Sequence, residues 1–376
     1  MVKKAQMWMV FVLCVASSLV SAAENRAVNE VSVQQLPSKA KQFNKAILDS
    51  REAAAKNNYR AAIKFSLKSL ALGEALLTEK PEQLAALNYN HGVLLSRGGR
   101  YAEAGKQLQK ALSNYETIYG KESAELCPLI YELATSLGKA RQPSSSQYFR
   151  RALKLAKRHH GSPSLEYARL LIQRGVILSY YFPRKNGKSS LVKGRKMAVS
   201  LEGEASQLAG WASFHLGKLA MARRDWDSST EHLLAALNTF DLLDEPANSI
   251  ELSTHAFLVQ AFSEQNEQAL ATRHCLAIGR MTPFTPDQDY LPIYKQQPEY
   301  PRSALRRRQS GWSIVEFDVD DQGFVRDPRI VQKSSATFDK ASIAAASNFR
   351  YAPAFDEGKA VATRNVQNKI IYTIAD

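Results

Sequence analysis

The sequence predicts a multidomain protein in which an α-solenoid of helical repeats is followed by a small α+β domain. One observation behind this prediction is that similar residues recur about every 42 positions between residues 40 and 280. The other is a change in hydrophobic pattern after the Pro-rich stretch 282–287, from the helical period to the two-residue alternation of strands. With 376 residues, the chain is long enough for two or three structural units.

Residues 1–22 have the pattern of a secretory signal peptide. Lys3 and Lys4 precede an apolar run, and the small residues around Ser21 suit cleavage by a signal peptidase. The apolar stretch 5–23 is 19 residues long, which is also just enough for an uncleaved membrane anchor. The sequence therefore predicts an exported chain and leaves open whether this segment is removed or retained.

Residues 38–281 are predicted to form about six repeats of two helices each, because several series of positions recur in step. The first series is Ser50, Gly92, Leu133, Gly175, Gly217 and Val259. The next is Ala62, Ala104, Ser145, Gly187, Ser229 and Ala271. A further series, in the second helix of each unit, is Ser69, Ala111, Ala152, Gly194, Ala236 and Ile278. Most of these residues are small, so they would let paired helices approach closely.

The pattern within one unit is that of paired helices. Ala104, Leu108 and Ala111 fall on one face of a helix, after a polar break at residues 97–100. The units resemble the tetratricopeptide repeat in a long variant, and residues 88–112 match best. The resemblance implies a groove that binds an extended peptide or a helix of an unidentified second protein. A rigid spacer with an unoccupied groove is the alternative.

Residues 290–376 are predicted to fold in the order helix, strand, strand, helix, strand. Val315, Phe317 and Val319 alternate with polar residues, as in a half-buried strand, and Asp321-Gln322-Gly323 is typical of a hairpin turn. The three strands are predicted at 315–319, 324–333 and 361–374, with a short helix after Tyr300-Pro301 and a second helix that ends near Phe349.

This C-terminal region resembles the C-terminal domain of TonB, the periplasmic protein that transmits energy to outer-membrane transporters. The resemblance rests on Gln297-Pro298, Tyr300-Pro301, Gly311, the strand 315–319, the turn 321–323 and the run Phe349-Arg350-Tyr351-Ala352-Pro353. In the family, the region up to the Tyr-Pro pair contacts the transporter. The final strand pairs with an extended transporter peptide by β-augmentation.

The resemblance therefore assigns partner binding to two groups of residues. The first group is Gln297, Pro298, Tyr300 and Pro301. The second group, on the final strand, is Val361, Arg364, Val366, Asn368 and Ile370. A competing interpretation is that Tyr300, Pro301 and the aromatic residues near residue 350 only pack the small core.

Two features of TonB itself are missing from this sequence. No extended Pro-rich linker follows residues 1–22, because the repeats occupy that place. Residues 1–23 also contain no His of the kind that couples the family's anchor to the ExbB–ExbD motor. An ExbB/ExbD-type inner-membrane complex is therefore kept as an alternative partner rather than as the leading one.

The sequence predicts neither catalysis nor a cofactor or metal. The stretch 97–99 lacks the spacing and the Lys of a phosphate-binding loop. His215 and His232 fall on different predicted helices, and no further ligand completes a metal site. Cys127 and Cys275 are far apart in the sequence and are expected to be buried free thiols.

The chain is strongly basic, with a formal net charge of +14. Such a charge favours anionic partners through long-range electrostatic fields. An exported chain rarely meets nucleic acid, so none is predicted as a partner. Anionic envelope polymers and lipid head groups fit better, and a solvated surface with no partner is the alternative.

Taken together, these features predict a periplasmic, non-enzymatic docking or adaptor protein of TonB-dependent outer-membrane transport. Its C-terminal strand would bind a peptide of a TonB-dependent receptor, or another β-edge partner, and its repeats would bind a second protein. An envelope scaffolding or assembly protein with a purely structural C-terminal domain is one alternative. A membrane-anchored, TonB-like energy transducer is the other.

Overall fold

A computed structural model describes residues 36–241, 249–281 and 290–374. The predicted signal peptide or anchor, residues 1–22, lies outside these ranges. The described residues fall into two compact units, one that ends at Met197 and one that begins at Ala198. None of the helices in the described ranges is both long and apolar enough to cross a membrane. The domain boundaries stay a prediction.

The first unit consists of helices. They are α1 (Leu36–Ala55), α2 (Tyr59–Leu76), α3 (Pro81–Arg97), α4 (Tyr101–Tyr119), α5 (Cys127–Lys139), α6 (Ser145–His160), α7 (Leu165–Tyr181) and α8 (Lys188–Glu202), whose last residues belong to the second unit. A single 3₁₀ turn, Ala124–Leu126, precedes α5. Within the unit, α1 packs on α2, α3 on α4, and α5 on α6. These contacts follow the pairing that the sequence predicts.

The second unit begins with four more helices of the same kind. They are α9 (Gln207–Met221), α10 (Trp226–Asp241), α11 (Ser249–Glu264) and α12 (Gln268–Met281). Helix α9 packs on α10, and α11 packs on α12. The side chains of Leu233, Leu237, Leu258 and Phe262 are buried between these helices.

Glycines explain how closely the paired helices approach each other. In three repeats a glycine of the first helix faces a leucine of the second: Gly92 faces Leu108, Gly175 faces Leu191 and Gly217 faces Leu233. A Cβ atom added to these glycines would lie 2.7, 2.7 and 2.6 Å from the Cγ atom of the leucine. Because real Cβ contacts are longer, only glycine fits the observed spacing of the backbones. In these three repeats the glycine is therefore a packing requirement.

The other recurring positions also lie in the core. All six residues of the series Ala62, Ala104, Ser145, Gly187, Ser229 and Ala271 are buried. So are all six of the series Ser69, Ala111, Ala152, Gly194, Ala236 and Ile278. The fold class predicted from the sequence, helical repeats followed by a small α+β domain, is confirmed.

The C-terminal module contains two small sheets and two helices. Its elements are α13 (Arg302–Arg306), β1 (Gly311–Val319), β2 (Val325–Lys333), α14 (Asp339–Ala346), β3 (Ala354–Asp356), β4 (Lys359–Val361) and β5 (Thr363–Tyr372). A 3₁₀ turn, Ala336–Phe338, leads into α14. Strands β2, β1 and β5 form an antiparallel sheet in that order, and β3 pairs with β4.

The hairpin of β3 and β4 corrects one expectation. The predicted last strand, 361–374, is divided, so Val361 is the final residue of β4 and lies outside β5. A two-residue turn, in which Glu357 and Gly358 have φ angles of 47° and 79°, joins β4 to β3. Two consecutive left-handed residues give the tight turn that joins antiparallel strands.

The inner face of the three-stranded sheet covers an aromatic core. Val315, Phe317 and Val319 of β1 are fully buried, as their alternation predicts. Their neighbours in the core include Phe338, Phe349, Tyr351, Val366, Ile370 and Tyr372. This core holds β5 by its inward side chains and leaves the strand's main chain at the rim of the sheet.

Candidate partner-binding site

Strand β5 is an edge strand of the three-stranded sheet. Its pairing with β1 runs from Gly311 opposite Tyr372 to Val319 opposite Thr363. Within the described ranges, no strand pairs with the other side of β5. An edge strand presents a row of main-chain N–H and C=O groups to which an extended peptide can add. This row is the candidate binding site.

The opposite edge, β2, is poorly suited to strand addition. Its pairing with β1 has two irregularities, and Asp327 takes a left-handed φ of 49° next to Pro328. Pro328 has no N–H to donate, and a bulge bends the strand away from a new partner. Arg326 forms an ion pair with Asp320, and Arg329 forms one with Glu316. Charges, a bulge and a proline are common devices that protect an edge.

The predicted binding residues of the final strand differ in how exposed their side chains are. Val366 and Ile370 are only 7% and 2% exposed, because both side chains pack into the core. Asn368 and Val361 are partly buried, and Arg364 is exposed. The side chains of Val366 and Ile370 are therefore not available to a partner. The edge of β5 can recognise a peptide chiefly through its main chain.

Strand β5 contains a bulge near its start. The register changes between Phe317 opposite Val366 and Val319 opposite Thr363, which leaves one extra residue on β5. Asn365 in this bulge has a φ of 55°, and its N–H donates to Oδ1 of Asp318 at 2.9 Å. Asn tolerates the left-handed region better than most residues, which is the only sequence signal for this feature.

The Tyr-Pro segment lies close to the other end of β5. The hydroxyl of Tyr300 donates to the carbonyl oxygen of Gln309 at 2.8 Å. Its ring packs edge-on against Tyr372, at 5.6 Å between ring centres, and against Phe338 at 6.2 Å. Tyr300 thus belongs largely to the packed core, as the competing interpretation expects, and also joins this segment to β5.

The remaining residues of the first predicted group are more accessible. Gln297 is exposed, whereas Pro298 and Pro301 are partly buried. Pro301 is the N-cap of α13, with extended backbone angles. Because Tyr300 touches Tyr372, the Tyr-Pro segment lies beside the C-terminal end of β5, whereas Val361 and Arg364 lie near the opposite end of the strand. Gln297 is the residue of its group best placed to contact a partner.

Lys295 is a residue at this edge that sequence reasoning missed. Its Nζ atom donates to Oδ1 of Asn368 at 2.8 Å and lies 3.5 Å from the carbonyl oxygen of Lys369. Partial desolvation lowers the pKa of the largely exposed Lys295 below its ordinary value, since it disfavours the ammonium. Together with Arg364 and Lys369, it gives the edge of β5 a positive charge. No local pattern could have revealed a contact between residues so distant in sequence.

Two further properties of the described residues concern metal ligands and thiols. No group of three or more His, Cys, Asp or Glu side chains in these ranges could hold a metal ion. Burial raises the pKa of both Cys127 and Cys275 to about 11, so these thiols stay protonated near neutral pH. A protonated thiol is a poor nucleophile.

Comparison with known proteins identifies one region of the chain. Residues 296–374 match the family described as Gram-negative bacterial TonB protein C-terminal. No curated protein matches the chain.

Two solved structures are similar at low identity. One is the crystal structure of BtubC (BKLC) from P. vanneervenii, at 17% identity and a TM-score of 0.44, covering 59% of this chain and 97% of that one. The other is the apo form of RapI, at 13% identity and a TM-score of 0.44, covering 64% of this chain and 76% of that one.

The family match covers both predicted binding groups. Residues 296–374 include Gln297 to Pro301 and the whole of β5. The C-terminal module is a TonB-like domain that follows a set of helical repeats. Such a domain supports a role in protein interaction, and domains of this family are typically periplasmic.

Proposed function

We propose that this chain is a non-enzymatic docking protein of the periplasm that serves TonB-dependent outer-membrane transport. Its β5 edge would capture an extended peptide of a TonB-dependent receptor by β-augmentation. The helical repeats would bind a second protein and bring it to the receptor. An ExbB/ExbD-type complex is an alternative for that second partner, and it would apply if residues 1–22 are retained as an anchor.

The observation that carries the proposal is the difference between the two edges of the sheet. β5 offers one side of its main chain, whereas β2 is interrupted by the Asp327 bulge and by Pro328. Strand addition gains affinity from main-chain hydrogen bonds and makes few demands on side chains. This fits an edge on which the apolar side chains of Val366 and Ile370 are committed to the core, although Ile371 is 62% exposed.

The charge of the edge indicates what kind of peptide it would prefer. Lys295, Arg364 and Lys369 are all exposed cationic residues at or beside β5. Complementary charges favour encounter and set the register of a bound strand. We expect the captured peptide to carry at least one acidic residue, which would pair with Lys295 once its bond to Asn368 is given up.

Site-specific photo-crosslinking in cells that produce the full chain would test the proposal. A benzophenone amino acid would replace Gln367 on β5, and in a matched control it would replace Gln332 on β2. Both residues are exposed, and each lies on an edge strand of the same sheet. We expect the residue-367 probe to crosslink to the periplasmic N-terminal extension of an outer-membrane receptor, as identified by mass spectrometry.

The control separates strand addition from contact by chance. A probe at residue 332 should give little or no receptor crosslink, because β2 is protected. Equal crosslinking from both edges, or no receptor from residue 367, would contradict the proposed mode of binding. A Gln297→Ala chain should retain the crosslink at reduced yield, since this exposed residue adds contact without shaping the edge.

A second candidate function is an envelope scaffold held near anionic polymers. The net charge of +14 favours it. In that case the TonB-like domain would have a purely structural role. The packing of Tyr300 in the core is consistent with such a role. Recovery of peptidoglycan without any receptor would support this alternative.

A further inference from the structure

Arg350 is a buried arginine whose hydrogen bonds go to neutral groups. It is 2% exposed, and its guanidinium lies 3.7 Å from the centre of the Phe324 ring. It donates to Oε1 of Gln268 at 2.7 Å, to Oγ1 of Thr272 at 2.8 Å and to the carbonyl oxygen of Gln322 at 3.2 Å. A buried charge is costly unless such partners are kept in place.

Three of the groups around Arg350 lie on one face of α12, the last repeat helix. Gln268, Thr272 and Cys275 are spaced four and three residues apart, so they face the same direction. The Sγ atom of Cys275 is 3.7 Å from a guanidinium nitrogen of Arg350. The last repeat thus supplies most of the partners of a charge that belongs to the TonB-like module.

The contact around this arginine is extensive and closely packed. Val259, Cys275 and Ile278 of the last helical pair form an apolar cluster with Ile293, Tyr294 and Ala352 of the module. The hydroxyl of Tyr294 donates to Oε1 of Glu264 at 3.0 Å. A Cβ atom on Gly279 would lie 2.5 Å from the carbonyl oxygen of Pro353. Backbones this close indicate a fixed contact between these elements.

The main chain of Arg350 is connected to the candidate binding site. Its N–H donates to the carbonyl oxygen of Tyr294 at 3.0 Å, and its own carbonyl oxygen accepts from Ile293 at 2.8 Å. This pairing fixes the segment that continues to Lys295 and Gln297. The side chain of Arg350 therefore contacts α12. Its main chain contacts the binding segment, which is residues 293–297.

We propose that α11 and α12 contribute to partner binding together with the TonB-like domain. In this proposal Arg350 is the positioning residue that fixes the binding segment to α12. The part that binds a partner then comprises residues 249–281 and 290–374, rather than the TonB-like domain alone. The contact itself does not depend on the proposed function. Only its consequence for the β5 edge rests on that function.

Cys275 provides a direct measure of this contact in the full chain. In a chain carrying Cys14→Ser and Cys127→Ser, Cys275 is the one remaining thiol. It is fully buried, so a thiol reagent should modify it slowly in the native protein. We expect Arg350→Met to speed this modification roughly tenfold or more, because loss of buried hydrogen bonds favours local opening. Arg302→Met, which replaces an exposed arginine, should leave the rate unchanged.

A milder variant on α12 keeps the test informative if Arg350→Met fails to fold. Thr272→Val removes one acceptor of the guanidinium and retains the shape of the side chain. It should also speed modification of Cys275, and the double variant should show less than the product of the two effects, since both remove one interaction. Hydrogen exchange at the amides of Ile293 and Tyr294 should increase in the same variants.

The outcomes separate the two parts of the inference. Modification of Cys275 that stays equally slow in every variant would overturn the role of Arg350. Faster modification without faster amide exchange at Ile293 and Tyr294 would overturn the link to the binding segment. Failure of receptor crosslinking with both readouts intact would count against the proposed function and not against this contact.

Discussion

At the residue level, Tyr300 combines a place in the docking motif with a place in the core. Its ring touches Tyr372 and Phe338, and its hydroxyl bonds to Gln309. A change at this residue therefore affects stability before it affects binding. Gln297, which is exposed, offers the opposite case.

We expect Tyr300→Phe to lower the free energy of unfolding by about 1 kcal/mol, since it removes one hydrogen bond. Tyr300→Ala should lower it by roughly 2–3 kcal/mol, because it also leaves a space in the aromatic core. Gln297→Ala should leave stability unchanged. Urea denaturation of the three variants measures these differences. A Tyr300→Ala chain as stable as the wild type would show that the ring does not support the core.

The buried His215 should make the stability of the folded chain depend on pH. Burial, with a smaller contribution from Lys218, lowers the pKa of His215 from 6.5 to about 4. The folded chain therefore binds fewer protons than the unfolded chain between these values. The stabilisation is complete above pH 6.5 and is lost as the pH falls towards 4.

Urea denaturation at pH 7.5 and at pH 4.5 measures this loss. Over that interval His215 should account for about 2 kcal/mol of the fall in unfolding free energy. A His215→Gln chain should be less sensitive to pH by about this amount, and His160→Gln, an exposed control, should behave like the wild type. Equal sensitivity of the wild type and His215→Gln would contradict the prediction.

At the level of elements, the bulge in β5 marks where the regular pairing of this strand with β1 is interrupted. Asn365 has a left-handed φ of 55°, and its N–H is held by Asp318. The bulge is placed just before Val366, where regular pairing with β1 resumes. A residue that cannot adopt this conformation would disturb the candidate edge.

Asn365→Val should destabilise the chain by about 1–2 kcal/mol, because a β-branched residue is strained at positive φ. Asn365→Gly should be close to neutral, since glycine adopts that region without strain. The residue-367 crosslink should fall with the Val variant and persist with the Gly variant. Thermal unfolding and crosslinking yield measure the two effects, and identical results for both variants would argue against a structural role for the bulge.

The elements also show how far sequence patterns can predict local structure. The alternation of Val315, Phe317 and Val319 predicts β1 correctly, because one face of that strand is buried and the other is not. The hairpin of β3 and β4 escaped prediction because its strands are three residues long, too short to show a period. The Glu357-Gly358 turn was the only local signal for it.

At the level of the whole molecule, charge should separate the two candidate functions. Main-chain pairing along β5 depends weakly on ionic strength, whereas adsorption of a chain with net charge +14 to anionic polymers is screened by salt. We expect the receptor crosslink to survive an increase in NaCl from about 0.05 to 0.5 M. Over this range the Debye length falls from above 10 Å to below 8 Å. Co-sedimentation with peptidoglycan should be lost over the same range, and a crosslink lost in parallel with it would favour the scaffold.

Long-range contacts mark the limit of what the sequence could predict. The recurrence of small residues predicts the helical pairs because each repeat solves the same local packing problem. Lys295 and Asn368 are 73 residues apart, and Arg350 and Thr272 are 78 residues apart. No period connects such pairs, so the charge at the β5 edge and the contact with α12 appear only in the folded chain.

The protected edge of β2 has a consequence for self-association. A sheet with two open edges can add a strand on each side, and identical copies could then extend into a fibre. With Pro328 and the Asp327 bulge on one side of the three-stranded sheet, addition is favoured at β5, so growth through this sheet should end after one event. Two copies of the domain could therefore pair through their β5 edges and form a dimer. Such pairing would not continue into a fibre.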